Sequence, residues 1–205
     1  MIYDGRLNPG QRLLERELSQ DFAASRVPLP EPLLRLESEG LVGKVVNSAP
    51  FVEDFSVEDV LETYLMRLAL ESPAAHLAAV NHCSSIIGGL QRLCQRMTRS
   101  AEAGDLEKFD SADYQFHLGI VEASMNRRLT GAYNLSHIQV TEALGGLRAL
   151  KRLLADTTAS EHGRVIYAID TGDGEAAERA TYQHVCRTMQ KHGKPSRRED
   201  LLWNN

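Results

Sequence analysis

The sequence lacks a secretory signal, a long apolar run and any pair of closely spaced cysteines. Its 205 residues include three cysteines, none in a CxxC motif, so we interpret them as buried or idle thiols of a reducing compartment. No stretch of about 18 apolar residues occurs, so no membrane span is expected. The first ten residues, MIYDGRLNPG, contain no apolar core of a signal peptide. These absences predict a cytoplasmic protein.

An excess of positive charge is also missing. The formal net charge is −5, which gives no global attraction to nucleic acid or anionic lipid. DNA binding would therefore need a local basic patch. The hydrophobic share of 42% and the charged share of 25% are ordinary for a globular protein with a real core. The length allows one large domain, or a small domain followed by a medium one.

Residues 1–55 show the pattern of a small winged helix-turn-helix domain. A helix is predicted over 11–24, where leucines and a phenylalanine recur at helical spacing, and a second over 31–39, which Gly40 ends. Two short strands around a tight turn follow. Their apolar positions are Val45 and Val46 on one arm, and Phe51, Val52 and Phe55 on the other. Helix, turn, helix and hairpin in this order form a winged helix.

From residue 56 onward the predicted structure is entirely helical. Ser56 and the acidic residues after it resemble a capping box. The predicted helices cover 56–80, 83–103, 106–125, 127–154, 158–171 and 173–192, with breaks at glycine, asparagine or aspartate. We therefore predict a mainly α protein, in which 56–192 form an antiparallel six-helix bundle and 193–205 form a polar tail.

The bundle contains a candidate metal-binding set. Asp113 and His117 are four residues apart, which places them on one face of a helix. A carboxylate and an imidazole so placed offer two ligands to a divalent cation, and His162 and His184 on neighbouring helices could complete the set. The alternative is that the aspartate and the histidine only cap or pair locally.

Several segments resemble the GntR superfamily of bacterial transcription regulators, in the subfamily with the FCD effector-binding domain. In the N-terminal domain they are GRLNPGQRLLERELSQDFAASRVP and LLRLESEGLV. In the bundle they are RLALE, DYQFH and EASMN, followed by the segment around Glu161-His162 and by His184. The similarity covers nearly the whole chain. It implies a winged helix joined to a helical, ligand-binding bundle, and a homodimer.

The resemblance also implies roles for individual residues. In such proteins the positions of Asp113, His117, His162 and His184 bind a divalent metal at the floor of a cavity for a small carboxylate. Zinc or nickel is expected, and manganese, cobalt or iron would also suit this ligand set.

Two further residues are candidates for contact with that carboxylate. Arg67 could clamp it through two hydrogen bonds, and its alternative is a salt bridge to Glu71 within one helix. Asn126 could border the cavity, and its alternative is a helix cap.

The DNA-reading segment departs from the usual family pattern. Where relatives commonly read SRTPVREALRRLEAEGLV, this chain reads SRVPLPEPLLRLESEGLV. Hydroxyl, basic and helix-forming positions are thereby replaced by Val27, Pro30, Pro32 and Leu34. The remaining basic candidates for DNA contact are Arg26 and Arg35. We therefore expect a winged helix that folds but reads DNA weakly or not at all.

Three functions remain open from the sequence. The first is a metal-dependent regulator that senses a small carboxylate. The second is a metal-dependent enzyme that evolved from this scaffold and acts on such a metabolite in the bundle cavity. The third is a non-catalytic protein that sequesters a ligand or pairs with a full-length paralogue. Family resemblance favours the first.

Overall fold

A computed structural model defines the fold. It describes residues 7, 10–14, 33–34, 36–37, 42–44, 48–53, 57–81, 84–145 and 160–192.

The N-terminal region is built around a small antiparallel hairpin. Strand β1 is Val42–Gly43 and strand β2 is Phe51–Val52, with Val42 opposite Val52. Residues 33–34 and 36–37 are helical, as predicted for the segment before the hairpin. A small apolar core joins these parts through Leu13, Val42, Val52, Leu7, Leu33 and Leu36.

The structure corrects the start of the first predicted helix. Residues 11–14 are not helical; Arg12 forms a bridge with Phe51. The backbone N–H of Leu13 donates to the carbonyl of Pro50 at 2.6 Å. The edge of the hairpin thus supplies main-chain partners that outweigh the helical spacing of the leucines. Residues 15–24 lie outside the described part of the chain.

The first arm of the hairpin also differs from the prediction. We placed it at Val45 and Val46, whereas the observed strand is Val42–Gly43. Gly43 lies opposite Phe51, whose ring and the Glu53 carboxylate occupy the space that a Cβ at position 43 would need. The absence of a side chain therefore allows this close cross-strand contact. Val45, Val46, Phe55 and Ser56 lie outside the described residues.

The predicted bundle is confirmed. Between residues 57 and 192 the described part of the chain contains six helices: α1, Val57–Val80; α2, Ser84–Ala103; α3, Leu106–Ala123; α4, Arg127–Gly145; α5, residues 160–170; and α6, Gly174–His192. Residues 146–154, which we predicted to extend α4, are outside the described part.

Local chemistry explains two of the helix breaks. Gly104 and Gly172 have φ values of 69° and 73°, a conformation that glycine adopts without steric cost. An aspartate follows each of them: Asp105 and Asp173 accept the backbone N–H three residues further on, at 3.1 and 2.9 Å. Each break therefore ends one helix and caps the next.

Helix α1 is the central element of the bundle. It packs against α3, α4 and α6, while α2 packs against α3. An apolar core surrounds Phe116 and Ile120 of α3, yet several charged or polar side chains are also buried, among them Arg67 and Glu71 of α1. Buried charges are rare without partners, so this interior needs a separate explanation. None of the helices in the described part combines the length and apolar character of a bilayer span.

A matched pair of methionines tests the packing of the bundle. Met97 is 1% exposed in the apolar core, whereas Met66 is 48% exposed. We expect Met97→Ala to lower the free energy of unfolding by about 2–5 kcal/mol, because it removes buried methylene groups and leaves a cavity. Met66→Ala should change it by less than about 0.5 kcal/mol. Urea denaturation followed by circular dichroism measures both; equal losses would contradict the assigned burial.

Candidate metal centre

Three histidines from three helices meet in the interior of the bundle. His117 lies on α3, His162 on α5 and His184 on α6, and each is at most 3% exposed. The Nε2 atom of His184 is 3.1 Å from that of His162 and 3.3 Å from that of His117. The three rings can each offer one nitrogen within 4.8 Å of the others. The structure thus brings together the three histidines singled out in the sequence.

Asp113 joins this cluster from one helical turn before His117. Its Oδ1 atom lies 3.6 Å from Nε2 of His162 and 3.8 Å from Nε2 of His117. The Asp113 side chain is 27% exposed, so the cluster is open on the side of the carboxylate. All four predicted ligand side chains are therefore neighbours.

The spacing of the nitrogens suits a small divalent cation. Zinc in a tetrahedral site lies about 2.0–2.1 Å from imidazole nitrogens, which places those nitrogens about 3.3 Å apart. The observed separations of 3.1 and 3.3 Å agree with this value. Without a cation, at least two of the three neutral, converging Nε2 atoms carry the same kind of group, either two lone pairs or two N–H groups, an arrangement that burial makes costly.

Two glutamates lie behind the histidines, and the sequence did not single out either of them as part of the centre. Oε2 of Glu71 is 2.8 Å from Nδ1 of His117, and Oε2 of Glu161 is 2.9 Å from Nδ1 of His184. Carboxylates in this position orient metal-binding imidazoles. The available signals were weak: Glu71 is spaced as a helix salt-bridge partner of Arg67, and Glu161 is next to His162.

Arg67 makes the salt bridge that we considered as its alternative role. Its Nε lies 2.6 Å from Oε1 of Glu71, with both side chains buried. The guanidinium also stands over the ring of Tyr64, 5.3 Å from the ring centre. A contact between Arg67 and a ligand carboxylate stays a prediction.

Electrostatics favours an ionised Glu71 and neutral imidazoles at His162 and His184. Burial acts to raise the pKa of Glu71, but Arg67 and His117 outweigh it and hold that pKa well below its ordinary range. Burial and the neighbouring histidines hold the pKa of His162 well below its ordinary value. Burial also lowers the pKa of His184, although Glu161 opposes the shift. Neutral imidazole is the form that binds metals.

The other predicted contact residues lie elsewhere or outside the described chain. Oδ1 of Asn126 accepts the backbone N–H groups of Arg128 and Leu129 at 3.0 and 3.3 Å, which caps α4. Asn126 therefore has the capping role that was its alternative. Arg26 and Arg35, the basic candidates for DNA contact, lie outside the described residues.

Comparisons with known families agree with this architecture. The sequence pattern of the FCD domain matches residues 62–187, and that of the bacterial regulatory proteins of the gntR family matches residues 1–52. A winged helix followed by such a bundle defines a class of two-part regulators. The chain belongs to the GntR family of transcription regulators, with an FCD domain, so the predicted family and fold class are confirmed.

Individual relatives support the same assignment. The chain is 31% identical over 187 residues to the probable D-xylose utilization operon transcriptional repressor of Paenarthrobacter nicotinovorans, covering 90% of this chain and 80% of that protein. It is 27% identical over 205 residues to the HTH-type transcriptional regulator LutR of Bacillus subtilis, covering 90% and 93%. The solved structure of E. coli McbR/YncC shares the fold, with a TM-score of 0.76 at 23% identity over 93% of this chain and 91% of that one.

These findings change two of our expectations. GntR regulators bind DNA and dimerise, and FCD domains bind small-molecule effectors. The gntR pattern matches residues 1–52 despite the substitutions at Val27, Pro30, Pro32 and Leu34, so the expected loss of DNA binding is not supported. The relatives named above are regulators, and the enzyme alternative receives no support from them.

The lowered histidine pKa values predict a pH-dependent stability of the metal-free protein. Below about pH 6.5 the unfolded chain binds more protons at His162 and His184 than the folded chain does, so the free energy of unfolding falls as the pH falls. Each group contributes up to about 1.4 kcal/mol per pH unit, and nothing above its unfolded pKa.

Urea denaturation in EDTA between pH 7.5 and 5.5 tests this prediction. His162→Gln should lose stability less steeply than the wild type. The matched control is His76→Gln, since His76 is 37% exposed and lies outside the cluster. Identical slopes in the wild type and His162→Gln would contradict the assigned environment.

Proposed function

We propose that this regulator holds a divalent metal through Asp113, His117, His162 and His184 and senses a small carboxylate at that metal. The observation that carries the proposal is the convergence of three buried Nε2 atoms, 3.1 and 3.3 Å apart, beside one partly exposed carboxylate. A bound metal of this kind supplies a positive centre with free coordination positions for an oxygen ligand.

The protein's own residues prepare the site for that ligand. Burial and the lowered pKa of His162 and His184 keep their imidazoles neutral. Phe116 stacks on His162 with the ring centres 4.1 Å apart, which restricts the rotation of that ring. Asp113 stands at the exposed side, where a ligand can approach.

The charge balance favours an anionic ligand. Arg67 offsets Glu71, and Arg187, which lies 3.4 Å from Glu161, offsets that second carboxylate. Asp113 offsets one of the two positive charges of a divalent cation. One positive charge then remains in a largely buried site. A bound carboxylate would neutralise that charge, whereas a neutral molecule of similar size would leave it buried and uncompensated.

The remaining part of the proposal concerns DNA. We infer that the chain acts as a homodimer whose two winged helices bind two half-sites of an operator. Support comes from the match of residues 1–52 to the gntR pattern and from the observed hairpin of β1 and β2. Ligand binding at the metal would change the affinity for the operator only to the extent that the ligand binds the DNA-bound and the DNA-free protein with different affinities.

Metal content gives the direct test of the ligand set. Protein purified without chelators should contain about one zinc or nickel ion per chain, and His162→Ala should lose most of it, because three ligands remain around an enlarged space. Elemental analysis measures both. His76→Ala is the control and should keep the metal. A wild-type protein that takes up neither ion on titration would overturn the metal part of the proposal.

Gel retardation tests the DNA part. A fragment from upstream of the protein's own operon should be retarded at low salt, and small carboxylates should release it from metal-loaded protein. Arg26→Gln and Arg35→Gln should each weaken binding by about 1–3 kcal/mol if they contact bases or phosphates.

The control for retardation is Arg179→Gln, since Arg179 lies on α6 and its side chain is 63% exposed. It should bind DNA as the wild type does. Failure of the wild type to retard any promoter fragment would contradict the proposed regulatory role.

A further inference from the structure

Two chains of side chains reach the histidine cluster from outside it. Each runs from an arginine through a glutamate to the Nδ1 atom of a histidine. The inner chain is Arg67, Glu71 and His117; the outer chain is Arg187, Glu161 and His184. In both, one carboxylate oxygen faces the arginine and the other faces the imidazole.

The inner chain is short and buried. The Arg67–Glu71 distance is 2.6 Å, the Glu71–His117 distance is 2.8 Å, and the three side chains are at most 4% exposed. Arg67 and Glu71 are one helical turn apart on α1, while His117 belongs to α3. These two atoms lie close enough for an ion contact, but they are not aligned as a hydrogen bond. A negatively charged carboxylate beside Nδ1 still favours the tautomer of His117 that carries its proton on Nδ1. Its Nε2 lone pair then points into the cluster.

The outer chain has the same order with looser contacts. Arg187 lies 3.4 Å from Glu161, and the Arg187 side chain is 40% exposed. Nδ1 of His184 donates to Glu161 at 2.9 Å in the interior. His184 is therefore fixed in the same tautomer as His117, with Nε2 free to accept.

His162 differs from the other two histidines. Among the residues that the structure describes, its buried Nδ1 atom has no hydrogen-bond partner and no ion contact like the one between Nδ1 of His117 and Glu71. Its Nε2 atom lies 3.1 Å from Nε2 of His184. Since Nε2 of His184 carries no proton, the favourable arrangement without metal has the proton of His162 on Nε2, donated to His184.

We propose that Glu71 and Glu161 are positioning residues, which hold His117 and His184 in the tautomer that can bind the metal through Nε2. His162, by contrast, is the ligand whose ring proton changes nitrogen when metal binds. The inference rests on the proposed metal site. In the step, Nε2 of His162 releases a proton to solvent and Nδ1 takes one up from solvent, so the ring stays neutral. The freed Nε2 lone pair would then be available to hold a cation together with His117 and His184.

Nitrogen-15 NMR of the histidine rings in the full chain tests the tautomers. In metal-free protein, His117 and His184 should be protonated on Nδ1 and His162 on Nε2. After loading with Zn²⁺, all three should be protonated on Nδ1, so that the tautomer changes at His162 alone. A metal-free protein with Nε2–H on His117 or His184, or with His162 already protonated on Nδ1, would overturn the inference.

Zinc affinity tests the two carboxylates. Competition with a chromophoric chelator should show about 10- to 100-fold weaker Zn²⁺ binding in Glu161→Gln and in Glu71→Gln. The matched control is Glu178→Gln, because Glu178 lies 3.1 Å from the half-exposed His76 in an equivalent pair at the surface. This variant should bind zinc as the wild type does. Circular dichroism of the metal-free variants establishes that they fold.

The outcomes separate this inference from the proposed metal site. If the wild type binds no Zn²⁺, the proposed metal site is contradicted. The tautomers of the metal-free protein then still show whether the glutamates hold His117 and His184 with the proton on Nδ1. If the wild type binds Zn²⁺ and both glutamate variants bind it within twofold of the wild type, the positioning role fails. Glu71→Gln removes the buried charge that offsets Arg67, so this variant can fail to fold. In that case the zinc affinity of Glu161→Gln alone tests the positioning role.

Discussion

Three imidazole nitrogens directed at one buried point form the constraint on which the bundle depends. Neutral rings in this arrangement repel through their lone pairs unless a cation or a shared proton lies between them. Holding them there requires charged partners in the interior, and Glu71 and Glu161 supply these. Each glutamate in turn needs an arginine to offset its charge. The polar core of this bundle is therefore a consequence of the site, with Phe116 and its apolar neighbours packed around it.

Sequence patterns predicted the helices because their breaks are local. Gly104-Asp105 and Gly172-Asp173 end one helix and cap the next through contacts within a few residues. The pairing of Asp113 with a histidine four residues later is local in the same sense. The assembly of His117, His162 and His184 is not local: the sequence offered them as a possible set on neighbouring helices, and the resemblance to a family implied that they bind one metal.

The roles of the carboxylates of Glu71 and Glu161 could not be recognised because their histidine partners are distant in the chain. Glu71 on α1 has the spacing of an ordinary surface ion pair with Arg67, and nothing local indicates that His117 on α3 would be its second partner. The predicted start of the first helix was wrong for a related reason. The leucine spacing over 11–14 is compatible with a helix and with an extended segment. The extended form is stabilised by a hydrogen bond to the carbonyl of Pro50, which is distant in the sequence.

Helix α1 connects the candidate metal centre with the end of the N-terminal hairpin along the chain. It begins at Val57, shortly after strand β2 ends at Val52, and it carries both Arg67 and Glu71 in its interior part. A ligand carboxylate that competes with Glu71 for Arg67 would change the forces on this helix at the point where it contacts His117. Under the proposed function such a displacement would pass along the axis of α1, because the backbone hydrogen bonds of a helix resist bending. The ion pair of Arg67 with Glu71 therefore supports His117, and under the proposed function it is the contact at which a bound anion would act on α1.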